Sequence, residues 1–350
     1  MISIRYGKSI IGIALAAGVI AVLFVGQSVA AYGQSAYYSQ PYYQGTYYAH
    51  QQGKTIDATA EASSEGVHRR IVFTSDQTGY IFFRDGNGSC GMASTTNGGS
   101  SWSATRTVDS QTDCGGITIW YDRWTPGDSG NDIHIGTIDD GSDELWYTKL
   151  NTSTGALTTT VNASQAFISG TLEPATAASM DWVAITKATN GIIYMSVVDN
   201  TDSGVIECSG TCETGANWSE TTNPFTNVES QPLFLVPLSD GDIMAIRYLT
   251  TVDDIEYQIW DDGGGAWGGS WIDIDDAVCS AIPETRALGT LSAAVDALTG
   301  EIYLAYINDC SPFDGDNDDV QVFLYSGGSW TAKTNVITNA SRGIRGVTIG

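Results

Sequence analysis

Short apolar runs bounded by glycine and asparagine turns recur along residues 67–336 and predict β-strands rather than helices. One pattern, a turn residue, any residue and Ile followed by an apolar run, returns at intervals of 50 to 60 residues. Its turn positions are Gly79, Asn131, Gly191, Gly241 and Gly300. An apolar strand precedes each copy, and a further strand and a tryptophan turn follow it. Each copy is therefore expected to hold about four strands.

This period predicts an all-β fold, a β-propeller with five four-stranded blades. A single four-stranded sheet has two apolar faces, and packing successive copies face to face buries both. Residues 343–349 resemble the opening strand of a sixth blade, and because the chain ends at Gly350 we expect it to be C-terminally incomplete. A pair of β-sandwiches is the alternative fold, and it leaves the regular spacing unexplained.

The first 66 residues lack this pattern. Residues 1–31 carry Arg5 and Lys8, an uncharged apolar run and then small residues ending at Ala31, which is the order of a secretory signal peptide. The same run is long enough to serve as an uncleaved N-terminal anchor. Residues 32–66 are rich in Tyr, Gln and Ser and predict a flexible linker. The propeller therefore spans 67–350 and is expected outside the cytoplasm, either secreted or tethered to a membrane.

Composition narrows the class of partner. The 350 residues contain 40 acidic and 15 basic side chains, a net charge of -25. Nucleic-acid binding requires clusters of Lys and Arg, and the sequence contains none. Nucleic acid is therefore excluded as a partner. We expect a monomer.

Six cysteines in an oxidising compartment predict disulfides. Their spacing suggests the pairs Cys90–Cys114, Cys208–Cys212 and Cys279–Cys310, although fifteen pairings are formally open. A zinc site is disfavoured, because none of the three histidines (His50, His68 and His134) lies near a cysteine pair.

The tryptophan turns carry a family resemblance. Residues 95–102, Thr-Thr-Asn-Gly-Gly-Ser-Ser-Trp, and residues 211–218 share a frame with shorter copies that end at Trp267 and Trp330. We expect each Trp to fill the gap between neighbouring sheets. The frame resembles the Asp-box, Ser-x-Asp-x-Gly-x-x-Trp, of sialidase-like (BNR-repeat) propellers. Asn97 and Glu213 stand in the place of the Asp, and in that family the box is a fold element.

The resemblance implies site residues. Sialidases bind a substrate carboxylate with three Arg, and they use a Tyr nucleophile assisted by Glu and an acid/base Asp. Arg70 matches the first Arg position, and Asp85, after Arg84, matches the acid/base position. Glu229 and Arg247 match the Glu and the second Arg. The resemblance thus implies Asp85 and Glu229 as catalytic and Arg70, Arg84 and Arg247 as substrate-binding residues.

Two parts of that chemistry are not found. The third Arg is expected in residues 308–319, which contain no basic residue, and residues 341–350 contain no Tyr nucleophile. No cofactor is expected. The alternation of Asp314, Asp316 and Asp318 offers oxygen ligands for calcium, against the simpler interpretation of a solvated hairpin tip.

The resemblance implies a glycan or a cell-surface glycoconjugate as the partner, and two functions of different classes follow. One is an exo-sialidase-like glycoside hydrolase whose activity is in doubt because of the missing residues. The other is a non-catalytic propeller that presents its loops to a glycan or a partner protein.

Overall fold

The computed structural model confirms an all-β chain. It describes residues 2–6, 9–13, 69–109, 113–139, 144–164, 166, 180–199, 203–221, 233–249, 254–275, 291–308, 318–333 and 337–340. Contacts divide the chain into two units. Unit 1 comprises Met1–Thr55, Ser75–Gly79 and Thr95–Trp102, and unit 2 comprises Ile56–Thr74, Tyr80–Ser94 and Ser103–Gly350.

Unit 1 contains an antiparallel hairpin and two loops. In the hairpin, β1 (Ile2–Tyr6) pairs with β2 (Ser9–Ile13). In the loop that resembles an Asp-box, Asn97 Oδ1 accepts the Ser101 N–H at 2.8 Å and Thr95 Oγ1 accepts the Gly99 N–H at 3.0 Å. Polar side chains therefore cap this turn, as its sequence predicts. No helix among the described residues is long and apolar enough to cross a membrane, and the division at residues 31 and 66 stays a prediction.

Unit 2 carries five consecutive antiparallel sheets, which we call blades 1 to 5, and each runs as a simple meander in chain order. Blade 1 contains β3 (Ile71–Phe73), β4 (Gly79–Arg84), β5 (Cys90–Thr95) and β6 (Arg106–Thr107), of which Gly79 and Thr95 belong to unit 1. Blade 2 contains β7 (Cys114–Tyr121), β8 (Asp132–Asp139), β9 (Glu144–Asn151), β10 (Ala156–Leu157) and β11 (Val161–Asn162). Blade 3 contains β12 (Met180–Lys187), β13 (Ile193–Asp199), β14 (Ser203–Cys208) and β15 (Trp218–Glu220).

Blade 4 contains β16 (Leu233–Pro237), β17 (Ile243–Leu249), β18 (Asp254–Asp261), β19 (Ala266–Trp267) and β20 (Ile272–Asp275). Blade 5 contains β21 (Leu291–Val295), β22 (Ile302–Asn308), β23 (Asp318–Ser326), β24 (Ser329–Ala332) and β25 (Ile337–Ala340). In blades 2, 4 and 5 two short strands share the outer position against the third strand. Short 3-10 helices at Asp122–Trp124 and Gly215–Asn217 complete the described elements.

In blades 2 and 4 burial falls from the inner strands to the short outer ones. Every residue of β16 is buried, whereas β24 is mostly exposed. The first strands of blades 2 to 5 contact one another in order, β7 with β12, β12 with β16 and β16 with β21. The nearly continuous apolar first strands are explained by this inner position, because both of their faces are covered. The β-propeller is therefore confirmed, and the pair of β-sandwiches is excluded; the proposed start of a sixth blade, 343–349, lies outside the described residues.

The repeat turns and the tryptophans behave as their residue types require. Gly191, Gly241 and Gly300 all have positive φ, between 73° and 108°, which explains glycine at these turns. In blades 3, 4 and 5 the Trp of the turn contacts the blade before it. The ring centroids of Trp218 and Tyr147 are 5.2 Å apart, and those of Trp330 and Tyr257 are 6.1 Å apart. Trp267 Nε1 donates to Thr221 Oγ1 at 3.3 Å.

Two predicted disulfides are present. Cys90 in β5 is bonded to Cys114 at the start of β7 and so joins blades 1 and 2. Cys208 is bonded to Cys212 within the tryptophan turn of blade 3. Cys279 and Cys310 lie outside the described residues, and their pairing stays a prediction.

Candidate functional site

The predicted site residues of blade 1 lie at the β4–β5 hairpin. Arg84 Nη2 donates to Asp113 Oδ1 at 3.1 Å. Asp85 is buried, and its Oδ1 accepts the N–H groups of Asn87 at 2.8 Å and Ser89 at 2.9 Å. The Arg84 guanidinium thus faces a carboxylate of its own chain, and the Asp85 carboxylate holds the hairpin turn.

Arg70 is partly buried directly before β3, where its carbonyl accepts the Phe82 N–H at 2.8 Å. The structure therefore ties the backbone of Arg70 to β4. Glu229, Asp314 and Asp316 lie outside the described residues, and Asp318 is described only as the first residue of β23. The catalytic assignment of Glu229 and the calcium site stay predictions.

Arg247 lies in a compact group in blade 4. It stands opposite Glu256 in the β17–β18 register, and its Nε and Nη2 both donate to Glu256 Oε2, at 2.8 and 2.6 Å. The other side of the guanidinium lies 3.9 Å from the centroid of the Trp271 ring. Two partners therefore fix the plane of Arg247, a charge-assisted pair and a cation–π contact.

Asp254 and Asp273 surround this pair with further negative charge. Their carboxylate oxygens and that of Glu256 lie within 4.8 Å of one another. Three carboxyl groups thus lie around the single guanidinium of Arg247. We call Arg247, Glu256, Trp271, Asp254 and Asp273 the blade 4 group. The electrostatic field of these carboxyl groups repels an anionic ligand and favours a neutral ligand that donates hydrogen bonds from hydroxyl groups.

A second polar cluster, absent from the predictions, lies between blades 2 and 3. Asp122 Oδ1 accepts from Lys187 Nζ at 2.6 Å and faces His134 Nε2 at 2.9 Å. His134 Nδ1 faces the Tyr147 hydroxyl at 2.7 Å. Asp122, His134 and Tyr147 are buried, Lys187 is partly exposed, and the bond from Lys187 to Asp122 holds blade 3 to blade 2.

A glycine makes this close approach possible. A Cβ at Gly130 would lie 2.1 Å from Asp122 Oδ2, which is inside any permitted contact distance. Asp122 Oδ2 also accepts the Asp132 N–H at 2.8 Å. The turn between β7 and β8 therefore folds back on the Asp122 carboxylate. This turn is longer than the turns between the first two strands of the other blades, and that length is the sequence feature that could have marked this copy as different.

Burial and charge act in opposite directions within this cluster. Burial alone would raise the pKa of Asp122, but its bonds to His134 and Lys187 lower that pKa well below its usual value. Burial lowers the pKa of His134, and the neighbouring Asp122 only partly opposes this. Burial also raises the pKa of Tyr147. The histidine is therefore held neutral beside an ionised carboxylate.

Arg69 forms a third feature that the predictions missed. Its Nη2 donates to the Ala293 carbonyl of β21 at 2.6 Å, while its carbonyl accepts the Ile119 N–H of β7 at 3.0 Å. The guanidinium carbon lies 4.5 Å from the Trp120 ring centroid and 5.5 Å from that of Trp124. Burial lowers the pKa of Arg69 to about 10. Arg69 thus links the start of blade 1 to blades 2 and 5.

The chain matches no protein-family model and no curated protein sequence. Solved structures resemble it at low identity. An ulvan lyase of polysaccharide lyase family PL25 is 11% identical with a TM-score of 0.48, covering 80% of this chain and 74% of that one. An intramolecular trans-sialidase from Ruminococcus gnavus, solved with oseltamivir carboxylate, is 11% identical with a TM-score of 0.48, covering 81% and 87%. A lectin from Aleuria aurantia, solved with Fucα1-6GlcNAc, is 11% identical with a TM-score of 0.45, covering 81% and 84%.

Proposed function

We propose that the protein is a secreted or surface-tethered, sialidase-like β-propeller that binds uncharged glycans without cleaving them. The observation that carries this proposal is the blade 4 group, in which Arg247 is held between the Glu256 carboxylate and the Trp271 ring. The Asp-box character of the tryptophan turns belongs to the same proposal.

The chemistry of the blade 4 group suits a sugar. Carboxylates accept hydrogen bonds from hydroxyl groups, guanidinium N–H groups donate to ring and hydroxyl oxygens, and an indole ring offers an apolar face. The side chains of Arg247 and Glu256 retain exposed fractions of 15% and 11%. Because Glu256 already neutralises Arg247 and two more carboxylates are near, a neutral glycan is favoured over a sialylated one.

The partners of the other predicted residues favour binding over catalysis. A general acid must reach the glycosidic oxygen, whereas Asp85 is buried and accepts two backbone N–H groups. Arg84 faces Asp113 rather than an open site. Together with the missing third Arg, these contacts support the non-catalytic alternative.

The two disulfides support a location outside the cytoplasm, where thiols are oxidised. Cys90–Cys114 joins two blades, and Cys208–Cys212 closes a turn. The signal peptide or anchor in residues 1–31 belongs to the same proposal.

A glycan array with the full-length chain tests the proposed function. We expect binding to neutral glycans, followed by a loss of about tenfold or more in affinity for Trp271→Ala and for Arg247→Gln. Arg247→Gln alone leaves the buried Glu256 carboxylate without its charged partner. The double variant Arg247→Gln/Glu256→Gln removes both charges, so its loss of affinity reports the lost contacts with the glycan and not the effect of that unpaired carboxylate. Arg106→Gln is the matched control, because Arg106 is exposed and bonds only to the Gly155 carbonyl among the described residues. Equal affinities for all variants would refute the assignment of this group.

An exo-sialidase-like hydrolase is the second candidate, and the order of Arg70, Arg84 and Asp85 followed by Glu229 and Arg247 favours it. Release of sialic acid from a sialylated substrate, abolished in Asp85→Asn and Glu229→Gln, would establish it in place of the binding function. We expect no release with the wild-type chain.

A further inference from the structure

Tripeptides of the form Asn-x-Ser recur along the propeller. Four of them have described side chains, and a fifth begins at Asn339. The described four begin at Asn87, Asn151, Asn162 and Asn217. In an exported protein this tripeptide is the acceptor for an N-linked glycan, provided that its amide is accessible.

Asn87 occupies the tip of the β4–β5 hairpin. The Gly88 N–H donates to the Asp85 carbonyl at 3.0 Å, which closes a tight turn with Asn87 at its third position. Asn87 is exposed, and within the described part of the chain its side-chain amide makes no hydrogen bond. Asp85 anchors the backbone of the turn from below, so the amide is presented on a fixed loop.

The other three amides are already engaged. Asn151 Nδ2 donates to Asp132 Oδ1 and Asn162 Nδ2 donates to Glu144 Oε1, each at 2.7 Å. Asn217 Nδ2 donates to the Thr211 carbonyl at 2.7 Å and is followed by the buried Trp218. Each of these three amides is held in place by a hydrogen bond, at two of them to a carboxylate, so each is less free than Asn87 to enter a transferase site.

We propose that Asn87 is an N-glycosylation site of the folded protein and that folding protects the other three described asparagines. This inference rests on the extracytoplasmic location in the proposed function, and not on glycan binding. The donor is an oligosaccharide linked to a lipid pyrophosphate. Asn87 Nδ2 bonds to the anomeric carbon, the bond from that carbon to the phosphate oxygen breaks, and the lipid pyrophosphate leaves with the electron pair. One amide proton passes to the transferase.

Acceptor competence can be measured on the folded, purified full-length chain with an oligosaccharyltransferase and a lipid-pyrophosphate oligosaccharide. After reduction, trypsin cuts at Arg84 and Arg106 and releases residues 85–106, which contain only the Asn87 tripeptide. Residues 150–187 carry the tripeptides of Asn151 and Asn162. We expect the intact glycopeptide 85–106 at an occupancy about tenfold or more above that of peptide 150–187. The intact mass is the readout, because an Asn-Gly pair can deamidate and mimic a removed glycan.

Matched variants separate the acceptor from a change in fold. Asn87→Gln and Ser89→Ala should abolish glycosylation of peptide 85–106, whereas Ser89→Thr should preserve it and Asn217→Gln should leave it unchanged. The reduced and unfolded chain should accept glycan at Asn151 and Asn162 as well. An unmodified peptide 85–106 beside a glycosylated control peptide, or equal occupancy of both peptides in the folded chain, would overturn the proposal. Because this reaction requires no glycan binding by the propeller, failure on the glycan array does not affect its result.

Discussion

At the scale of single residues, the least expected feature is a chain of hydrogen-bonded polar groups between blades 2 and 3. Asp122 accepts from Lys187 and faces His134, which in turn faces Tyr147. A buried charge is costly unless it is paired and hydrogen-bonded. Each member here has a partner at 2.6 to 2.9 Å, which explains how the cluster is tolerated between two blades.

This cluster predicts a dependence of stability on pH. The folded-state pKa of His134 is lowered by burial, so below about pH 6.5 the unfolded chain binds a proton that the folded chain does not. The free energy of unfolding should therefore fall as the pH drops below about 6.5, by at most about 1.4 kcal/mol per pH unit for this one proton. The depressed pKa of Asp122 adds a further loss only below about pH 4. The charged groups that act on the pKa of His134 are Asp122, which raises it, and Lys187 and Lys149, which lower it. The His134 Nδ1 faces the Tyr147 hydroxyl.

Urea unfolding at several pH values measures this dependence. In His134→Gln the decline between about pH 7 and about pH 5 should be smaller than in the wild-type chain, although the variant is less stable overall. The same slope in both proteins would show that His134 does not titrate in this way.

At the scale of elements, the tryptophan turns of blades 3, 4 and 5 each contact the blade before. Trp218 is the most deeply packed, with an exposed fraction of 4%, and its Nε1 donates to the Cys212 carbonyl at 3.0 Å. Trp330 occupies the corresponding turn of blade 5 but remains partly exposed. We therefore expect the same local motif to contribute more to the stability of the fold where its Trp is more deeply buried.

Substitution of these two residues compares the blades directly. Trp218→Ala should lower the free energy of unfolding by about 3–5 kcal/mol, because it opens a cavity against Tyr147 and removes a hydrogen bond. Trp330→Ala should cost clearly less, since part of its ring already contacts solvent. Equilibrium denaturation of both variants measures the difference, and equal costs would contradict the dependence on burial.

At the scale of the whole molecule, some contacts among the described residues join blades that do not follow one another in the chain. Arg69 makes such a contact, because it precedes blade 1 and yet donates to Ala293 in blade 5. Its guanidinium also lies against Trp120 in blade 2 and near Trp124 in the 3-10 helix that follows. Three blades therefore meet at one side chain.

Arg69→Ala tests how much these contacts of Arg69 contribute to the stability of the fold. We expect a loss of about 2 kcal/mol or more in the free energy of unfolding, from the cation–π contacts and the unsatisfied Ala293 carbonyl. Amide exchange should accelerate in β21, which is remote from Arg69 in sequence. Arg106→Ala is the control, since the exposed Arg106 should change stability by about 0.5 kcal/mol at most. Unchanged exchange in β21 would show that Arg69 does not couple these blades.

Local sequence determined the blades themselves. The recurring turn residues, the apolar first strands and the tryptophan frames predict five meander sheets, because strand period, turn chemistry and burial are properties of residues close together in the chain. The spacing of the cysteines likewise predicted the two disulfides that the structure describes. Arg247 was identified as a candidate through its place in the repeat and the family resemblance.

Only the tertiary structure decided which partner each charged side chain has. The register between β17 and β18 places Glu256 opposite Arg247, and the approach of blade 3 to the β7–β8 turn brings Lys187 to Asp122. The fold likewise brings Arg69, which precedes blade 1, to Ala293 in blade 5. These pairings depend on distances between residues remote in sequence, and electrostatic energies change steeply with distance and burial. The repeat therefore predicts where a strand ends, but it contains no information about which charge the neighbouring blade will present there.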